Sequence, residues 1–153
     1  VFVPDRKALV DAAADFVRRM RSAEKLELRD IVILTVSTLA KSVLGALTEL
    51  AGIPISYKPE EGKLWFTTVR RYKGLESKAV LLVDVCVSRL TDSTSQRLIY
   101  VGSSRATAYL ETLFLNDVAP EEYPALTAQL GEEVAPTPQG IASWLGMEYS
   151  ANG

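Results

Sequence analysis

Two short segments carry the densest groupings of side chains able to hold an anion. The first, Thr67-Thr68-Val69-Arg70-Arg71-Tyr72-Lys73-Gly74-Leu75-Glu76, sets three cations among two threonine hydroxyls, a tyrosine, a glycine and a carboxylate. The second, Arg97-Leu98-Ile99-Tyr100-Val101-Gly102-Ser103-Ser104-Arg105-Ala106, ends on two serines, an arginine and an alanine. Guanidinium, ammonium and hydroxyl groups at this density suit phosphate oxygens. The same residues also suit an ordinary solvated face. Arg70, Arg71 and Lys73 then read as exposed charges, Arg105 as a surface helix arginine, and Glu76 as the partner of Lys73 or Lys78. Tyr100 and Trp65 read as core aromatics.

Other chemistry is excluded more firmly. The chain has no histidine, which removes imidazole acid–base catalysis and most zinc sites. Its one cysteine, Cys86, cannot form an internal disulfide and lies in the apolar run 80–87, where a small buried filler is expected. No GxxxxGK[ST] loop is present, and no two glycines are separated by a single residue, so GxGxxG is absent as well. No acidic pair follows a strand in a way that suggests a magnesium site. The chain alone is not expected to hydrolyse ATP.

Charge is distributed unevenly. All 17 Lys and Arg residues precede Glu111, whereas seven of the 19 acids lie from Glu111 onward. Residues 1–110 therefore carry +5 and the remainder −7, within an overall −2. A basic body can contact phosphates locally despite the acidic total. At 153 residues, 48% apolar and 24% charged, the chain reads as one ordinary domain with a short tail. No apolar run reaches the roughly 18 residues a membrane span needs, and no secretory signal is evident.

The elements that must position these segments follow from periodicity. Phe2-Val3 reads as a short strand. Pro4-Asp5 opens a helix over 7–20 whose Leu9, Ala13, Phe16, Val17 and Met20 share a face. Polar residues 21–30 make a loop. Residues 31–36 form a continuous apolar run typical of a strand covered on both sides. Ser37 or Thr38 is expected to cap a helix reaching about Ala51, closed by Gly52 and Pro54. Short strands are expected over 54–57 and 65–69, with a turn at 59–62 between them. The strongest buried strand is 80–85, followed by a helix from about Ser95 to Ala108 and a strand over 110–115. Alternating strands and helices predict a parallel sheet covered by helices. Beyond Asn116, Pro120, Pro124, Pro136 and Pro138 interrupt the chain, and a short amphipathic helix is expected over 139–147.

With these elements in place, the two segments resemble a known pair. Thr67 to Glu76, with its KGLE and following hydrophobic strand, resembles motif V of UvrD/Rep-type superfamily 1 DNA helicases. Leu98 to Ala106 resembles their motif VI, Leu-x-Tyr-Val-Ala/Gly-x-Thr/Ser-Arg-Ala. Both occur in the right order and each leads into a strand. Asp30 to Pro54 resembles the family's preceding strand and helix ending in a Gly-Ile-Pro turn. The resemblance covers residues 1–116, and 117–153 forms an acidic, proline-containing tail. The short interval between Pro54 and the KGLE segment resembles the compact branch that lacks the large inserted subdomain.

The resemblance implies an α/β, RecA-like three-layer domain with a mostly parallel sheet flanked by helices. It implies the C-terminal motor domain of an ATP-dependent DNA helicase or translocase. The chain, which does not begin with Met, then reads as a piece of a longer protein. Its partners would be single-stranded DNA and the ATP-binding RecA-like domain of the same intact chain. That other domain would hold most of ATP and Mg2+, and this part alone would bind neither. By the same resemblance Arg105 is the arginine finger, and Gly74, Glu76 and Arg105 contact ATP. Thr68, Arg70 and Lys73 contact DNA; many relatives carry histidine at the position of Arg70. No protein-held metal and no membrane association are implied, and a bacterial cytoplasm is expected. Two alternatives remain: a non-enzymatic helicase-like module that binds DNA or protein, and an unrelated α/β nucleotide-binding domain. The helicase reading requires both segments at one sheet edge.

Overall fold

In a computed structural model describing residues 1–147, seven strands form a single sheet. They are β1 (Phe2–Val3), β2 (Ile31–Thr35), β3 (Glu49–Leu50), β4 (Ile53–Ser56), β5 (Leu64–Thr68), β6 (Ser77–Cys86) and β7 (Ala106–Leu115). Their order is β1-β7-β6-β2-β5-β4-β3, and every pairing is parallel except the β3–β4 hairpin. The end of the expected tail, 148–153, lies outside the described residues.

Helices cover both faces, which is why the central strands are apolar throughout rather than alternating. Helix α1 (Arg6–Ser22) starts where Asp5 accepts the Ala8 amide at 2.8 Å. Its Leu9, Ala13, Phe16, Val17 and Met20 pack on Ile33, Phe66, Leu81 and Leu113. Burying each of the larger of these side chains contributes about 1.5–3 kcal/mol. Helices α2 (Ser93–Ser103), α3 (Tyr123–Leu130) and α4 (Pro138–Trp144) belong to the opposite layer. There Leu98, Tyr123, Leu126, Ile141 and Ala142 meet Val32, Leu34, Val80, Leu82 and Phe114. The result is the expected three-layer α/β arrangement. Among the described residues, no helix is long and apolar enough to cross a membrane.

Four local expectations fail, each for an identifiable reason. The helix expected from Ser37 or Thr38 to Ala51 does not form; 37–48 is a run of turns leading into the hairpin. The Ser42 hydroxyl and Val43 amide, which a helix would use otherwise, both donate to Asp84. Gly45 packs so tightly that a Cβ there would stand 1.9 Å from the Leu39 carbonyl oxygen. The Gly52-Pro54 stop is instead the hairpin's far side, with Ala51 and Gly52 at φ 52° and 76°.

The second helix ends at Ser103 rather than Ala108, because Ala106 already pairs with Ser77 and lengthens β7. Helix α3 was unexpected. Pro124 breaks helices in their interior but is tolerated in a first turn, where it sits here. Tyr100, expected in the core, is 76% exposed. Helix α2 turns Gly102 to the sheet, so closely that a Cβ would lie 2.7 Å from Leu82 Cδ1, and this rotation points Tyr100 outward.

Candidate functional site

Parallel sheets offer two edges, and the residues singled out above divide between them. At the N-terminal edge of β6 and β7 the two motif segments meet. The Ser77 amide donates to the Arg105 carbonyl at 3.0 Å, joining the residue after KGLE to the end of SSRA. The Arg105 guanidinium folds back so that Nε donates to the Val101 carbonyl at 3.1 Å. Nη1 reaches the Leu75 carbonyl at 3.5 Å, a long contact. Both acceptors are neutral, and no carboxylate lies within ion-pair distance of this guanidinium among the described residues.

The turn that carries Gly74 and Glu76 is set by Tyr72. This ring is buried against Trp65, edge-on at 5.0 Å between centroids, and its hydroxyl donates to the Glu76 carbonyl at 2.9 Å. Burial, only partly countered by Ser77 and Arg105, raises the Tyr72 phenol above its usual range, so it stays a donor. Gly74 takes φ 83°, a conformation that side-chain-bearing residues rarely adopt. Glu76 is exposed, and its carboxylate pairs with neither Lys73 nor Lys78; Lys78 instead meets Asp30 at 3.2 Å. Among the described residues, this edge therefore presents a guanidinium without an ion pair, a carboxylate without an ion pair and an open glycine backbone.

At the C-terminal edge lies a pocket of about 820 Å³. Ligands of parallel sheets collect at this edge, where the loops after each strand converge. Thr68 and Arg70 line it from the end of β5; Arg6, Lys41, Arg71 and Arg89 line it as well. Cys86 closes part of the wall. Half-buried and next to the Asp117 carboxylate, its thiol is pushed up to about 11, first by burial and then by that charge. It is a half-buried, protonated thiol, less enclosed than the small buried filler expected.

The pocket's floor holds one residue that composition did not flag. Asp84 is buried within β6 at φ 63°, where the β6–β7 register shifts between Leu82 and Val85. Its Oδ2 accepts the Thr35 hydroxyl at 2.6 Å and the Ser42 hydroxyl at 2.5 Å, and its Oδ1 accepts the Val43 amide at 2.9 Å. The bulge turns this carboxylate off the pleat toward the turns after β2 and ties them to the sheet.

The sequence-derived candidates thus fall into two groups. Gly74, Glu76 and Arg105 are brought together at one edge, and Thr68 and Arg70 share the pocket at the other. Lys73 joins neither; it is exposed on the turn between the two edges and does not line the pocket. Tyr72, Asp84, Arg6, Lys41 and Arg89 were not anticipated as site residues. One signal was available: Arg6, Lys41 and Arg89 each follow the end of a strand by three to six residues, the position from which a loop reaches a parallel sheet's C-terminal edge.

The family model of the UvrD-like helicase C-terminal domain matches residues 63–110, from just before β5 to the first half of β7. No curated protein matches the chain. A solved structure, the C-terminal domain of a possible DNA helicase from Lactobacillus plantarum WCFS1, is similar in fold with a TM-score of 0.59 at 20% identity. The likeness covers 86% of this chain and 78% of that one. The match over both motif segments and the shared fold together bear out the chain's resemblance to the C-terminal domains of UvrD-like helicases.

Proposed function

We propose that the chain is the C-terminal motor domain of an ATP-driven DNA translocase, completing a nucleotide site whose other wall is a second RecA-like domain. ATP, with Mg2+ held by that other domain, would lie against the N-terminal edge of β6 and β7. Arg105 would reach the transferred phosphoryl group, Glu76 would accept a hydrogen bond from the ribose, and Gly74 would allow backbone to approach the nucleotide. The residues fit such a ligand: among the described residues the guanidinium rests only on carbonyls at 3.1 and 3.5 Å, so an incoming phosphate competes there with two weak acceptors and no ion pair. A charge-assisted bond to phosphate is roughly twice as strong as a neutral one. Single-stranded DNA would lie along the opposite edge, held at Thr68 and Arg70.

The observation that carries this reading is the backbone bond from Ser77 to Arg105, which fixes the Arg105 backbone beside the Gly74–Glu76 turn. Loss of an arginine finger costs ~10³–10⁵ in turnover in related systems. In the complete two-domain protein, Arg105→Ala is expected to keep nucleotide affinity within a few-fold. DNA-stimulated ATP hydrolysis should meanwhile fall by at least ~10³. Turnover within about tenfold of the parent would remove Arg105 from the mechanism. Absence of DNA-stimulated hydrolysis in the parent itself, with strand binding retained, would favour a non-enzymatic DNA-binding module.

A further inference from the structure

The basic pocket reaches well beyond the two motif residues that line it. We propose that it grips the sugar-phosphate backbone of a single DNA strand without reading its bases, with Arg6, Lys41 and Arg89 as phosphate ligands beside Arg70. This inference rests on the reading of the C-terminal edge as the strand track, and it names who holds the strand and by what chemistry.

Three observations support it. First, the lining draws exposed cations from separate elements: Arg6 at the start of α1, Lys41 in the turns after β2, Arg70 and Arg71 after β5, and Arg89 after β6. None of them has a carboxylate within 4 Å among the described residues, whereas six of the twelve cations elsewhere, Lys7, Arg18, Arg19, Arg29, Lys63 and Lys78, are ion-paired.

Second, the two acids in the lining are already committed. Asp84 takes three donors from the chain itself, and Asp92 caps α2 by accepting the Ser95 amide at 2.8 Å. Five cations against two occupied acids leave the concavity positive, and low-dielectric walls focus that field on a polyanion.

Third, among the described residues no aromatic ring and no Asn or Gln side chain lines the pocket. Base stacking needs the first, and hydrogen-bond readout of adenine commonly uses the second. Besides the charges, the lining carries hydroxyls (Ser37, Thr38, Thr68, Thr94, Ser95) suited to phosphate oxygens, and aliphatic side chains such as Val36, Leu39 and Leu98 that offer no hydrogen bond to a base edge. A site so equipped binds by charge, releases counterions and ignores base identity.

The test uses fluorescence anisotropy of the whole 153-residue chain with a labelled 12-mer of deoxythymidine and an abasic strand of equal length, over a range of salt. Arg6→Gln with Arg89→Gln, and separately Lys41→Gln, should each weaken binding at low salt, the double change by about tenfold or more. The slope of log affinity against log salt should fall by ~0.7 for each cation removed. The abasic strand should bind within about threefold of the thymidine strand, since charge rather than base contact dominates.

Unchanged affinity and slope in these variants, with Arg70→Gln still weakening binding, would overturn the three new ligands and leave the strand track standing. An abasic strand that fails to bind would overturn the backbone-only grip. A parent chain that binds neither strand at low salt would sink the track reading itself.

Discussion

Replacing Asp84 by alanine probes the one strained, buried polar residue at the pocket's floor. The carboxylate satisfies three donors, the Thr35 and Ser42 hydroxyls and the Val43 amide, at 2.5 to 2.9 Å. A buried donor left without an acceptor costs about 1–3 kcal/mol. The low end applies here, because the turns after β2 lie at the surface and water can reach donors as they open. Three donors at that end give about 3 kcal/mol. Alanine at φ 63° adds about 1 kcal/mol that aspartate partly escapes, since its short polar side chain tolerates the left-handed region.

Asp84→Ala should therefore lose about 3–5 kcal/mol, a large share of a small domain's stability. Two companion variants separate the terms. Asp84→Gly removes the strain and keeps the hydrogen-bond loss, and should recover about 1 kcal/mol over alanine. Asp84→Asn keeps an acceptor for Val43 and an amide that both hydroxyls can face by rotating, so its cost should be only about 1 kcal/mol. Urea unfolding followed by circular dichroism measures all three, with an unchanged slope marking a true stability difference. An alanine variant within 1 kcal/mol of the parent, or one no weaker than asparagine, would refute the claim that this carboxylate pins the turns.

Two further outcomes follow from the same region. Gly45→Ala would force a Cβ to within 1.9 Å of the Leu39 carbonyl oxygen, a backbone atom that cannot rotate away, so the turn must shift. A loss of about 1–3 kcal/mol in urea unfolding is expected, and unchanged stability would mean the turn is softer than its packing implies. Cys86, with its thiol near 11 because burial and the Asp117 carboxylate both disfavour the thiolate, should be about 0.1% ionised at pH 8. Its reaction with a thiol-specific disulfide reagent should then rise about tenfold per pH unit up to pH 10. A rate that levels off below pH 9 would contradict the burial seen here.

What the sequence revealed depended on how local the cause was. Strand β2 and the 80–85 part of β6 are legible because burial on both faces leaves an apolar run, and α1 because its apolar face repeats at helical spacing; the polar start of β6, Ser77-Lys78, is not. The juxtaposition of Arg105 with Gly74–Glu76 followed from motif order plus the parallel crossover through α2, which returns the chain to the same edge. The segment 37–48 misled because Ser37, Thr38 and its leucines have helical credentials, while the competing acceptor, Asp84, sits forty residues on. Asp84 itself read as one more residue of an apolar strand; only the bulge shows that its side chain leaves the pleat. Prolines misled in the opposite direction: Pro124 and Pro138 counted as interruptions, yet each sits in the first turn of a helix. Tyr100 reads as a core aromatic in the sequence, whereas Gly102 decides which side of α2 faces the sheet.

The placement of the first segment explains why its chemistry is so dense. Between the end of β5 and the start of β6 the chain must cross from one sheet edge to the other, because the two strands run parallel on either side of β2. Eight residues, 69–76, make that crossing without a helix of full length. Thr68 and Arg70 therefore stand at the pocket, and Gly74 and Glu76 stand beside Arg105, on a single short connection. Its middle is held by Val69 and Tyr72, both buried in the core shared with Leu82 and Trp65. On the function proposed, this is the shortest covalent path between the strand and the nucleotide. A displacement of the Gly74–Glu76 turn cannot be absorbed by slack; it bears on the packed Tyr72 and, through it, on the residues at the pocket. Parallel topology, rather than any special property of KGLE, is what places Thr68 and Arg70 at one sheet edge and Gly74 and Glu76 at the other within ten residues of sequence.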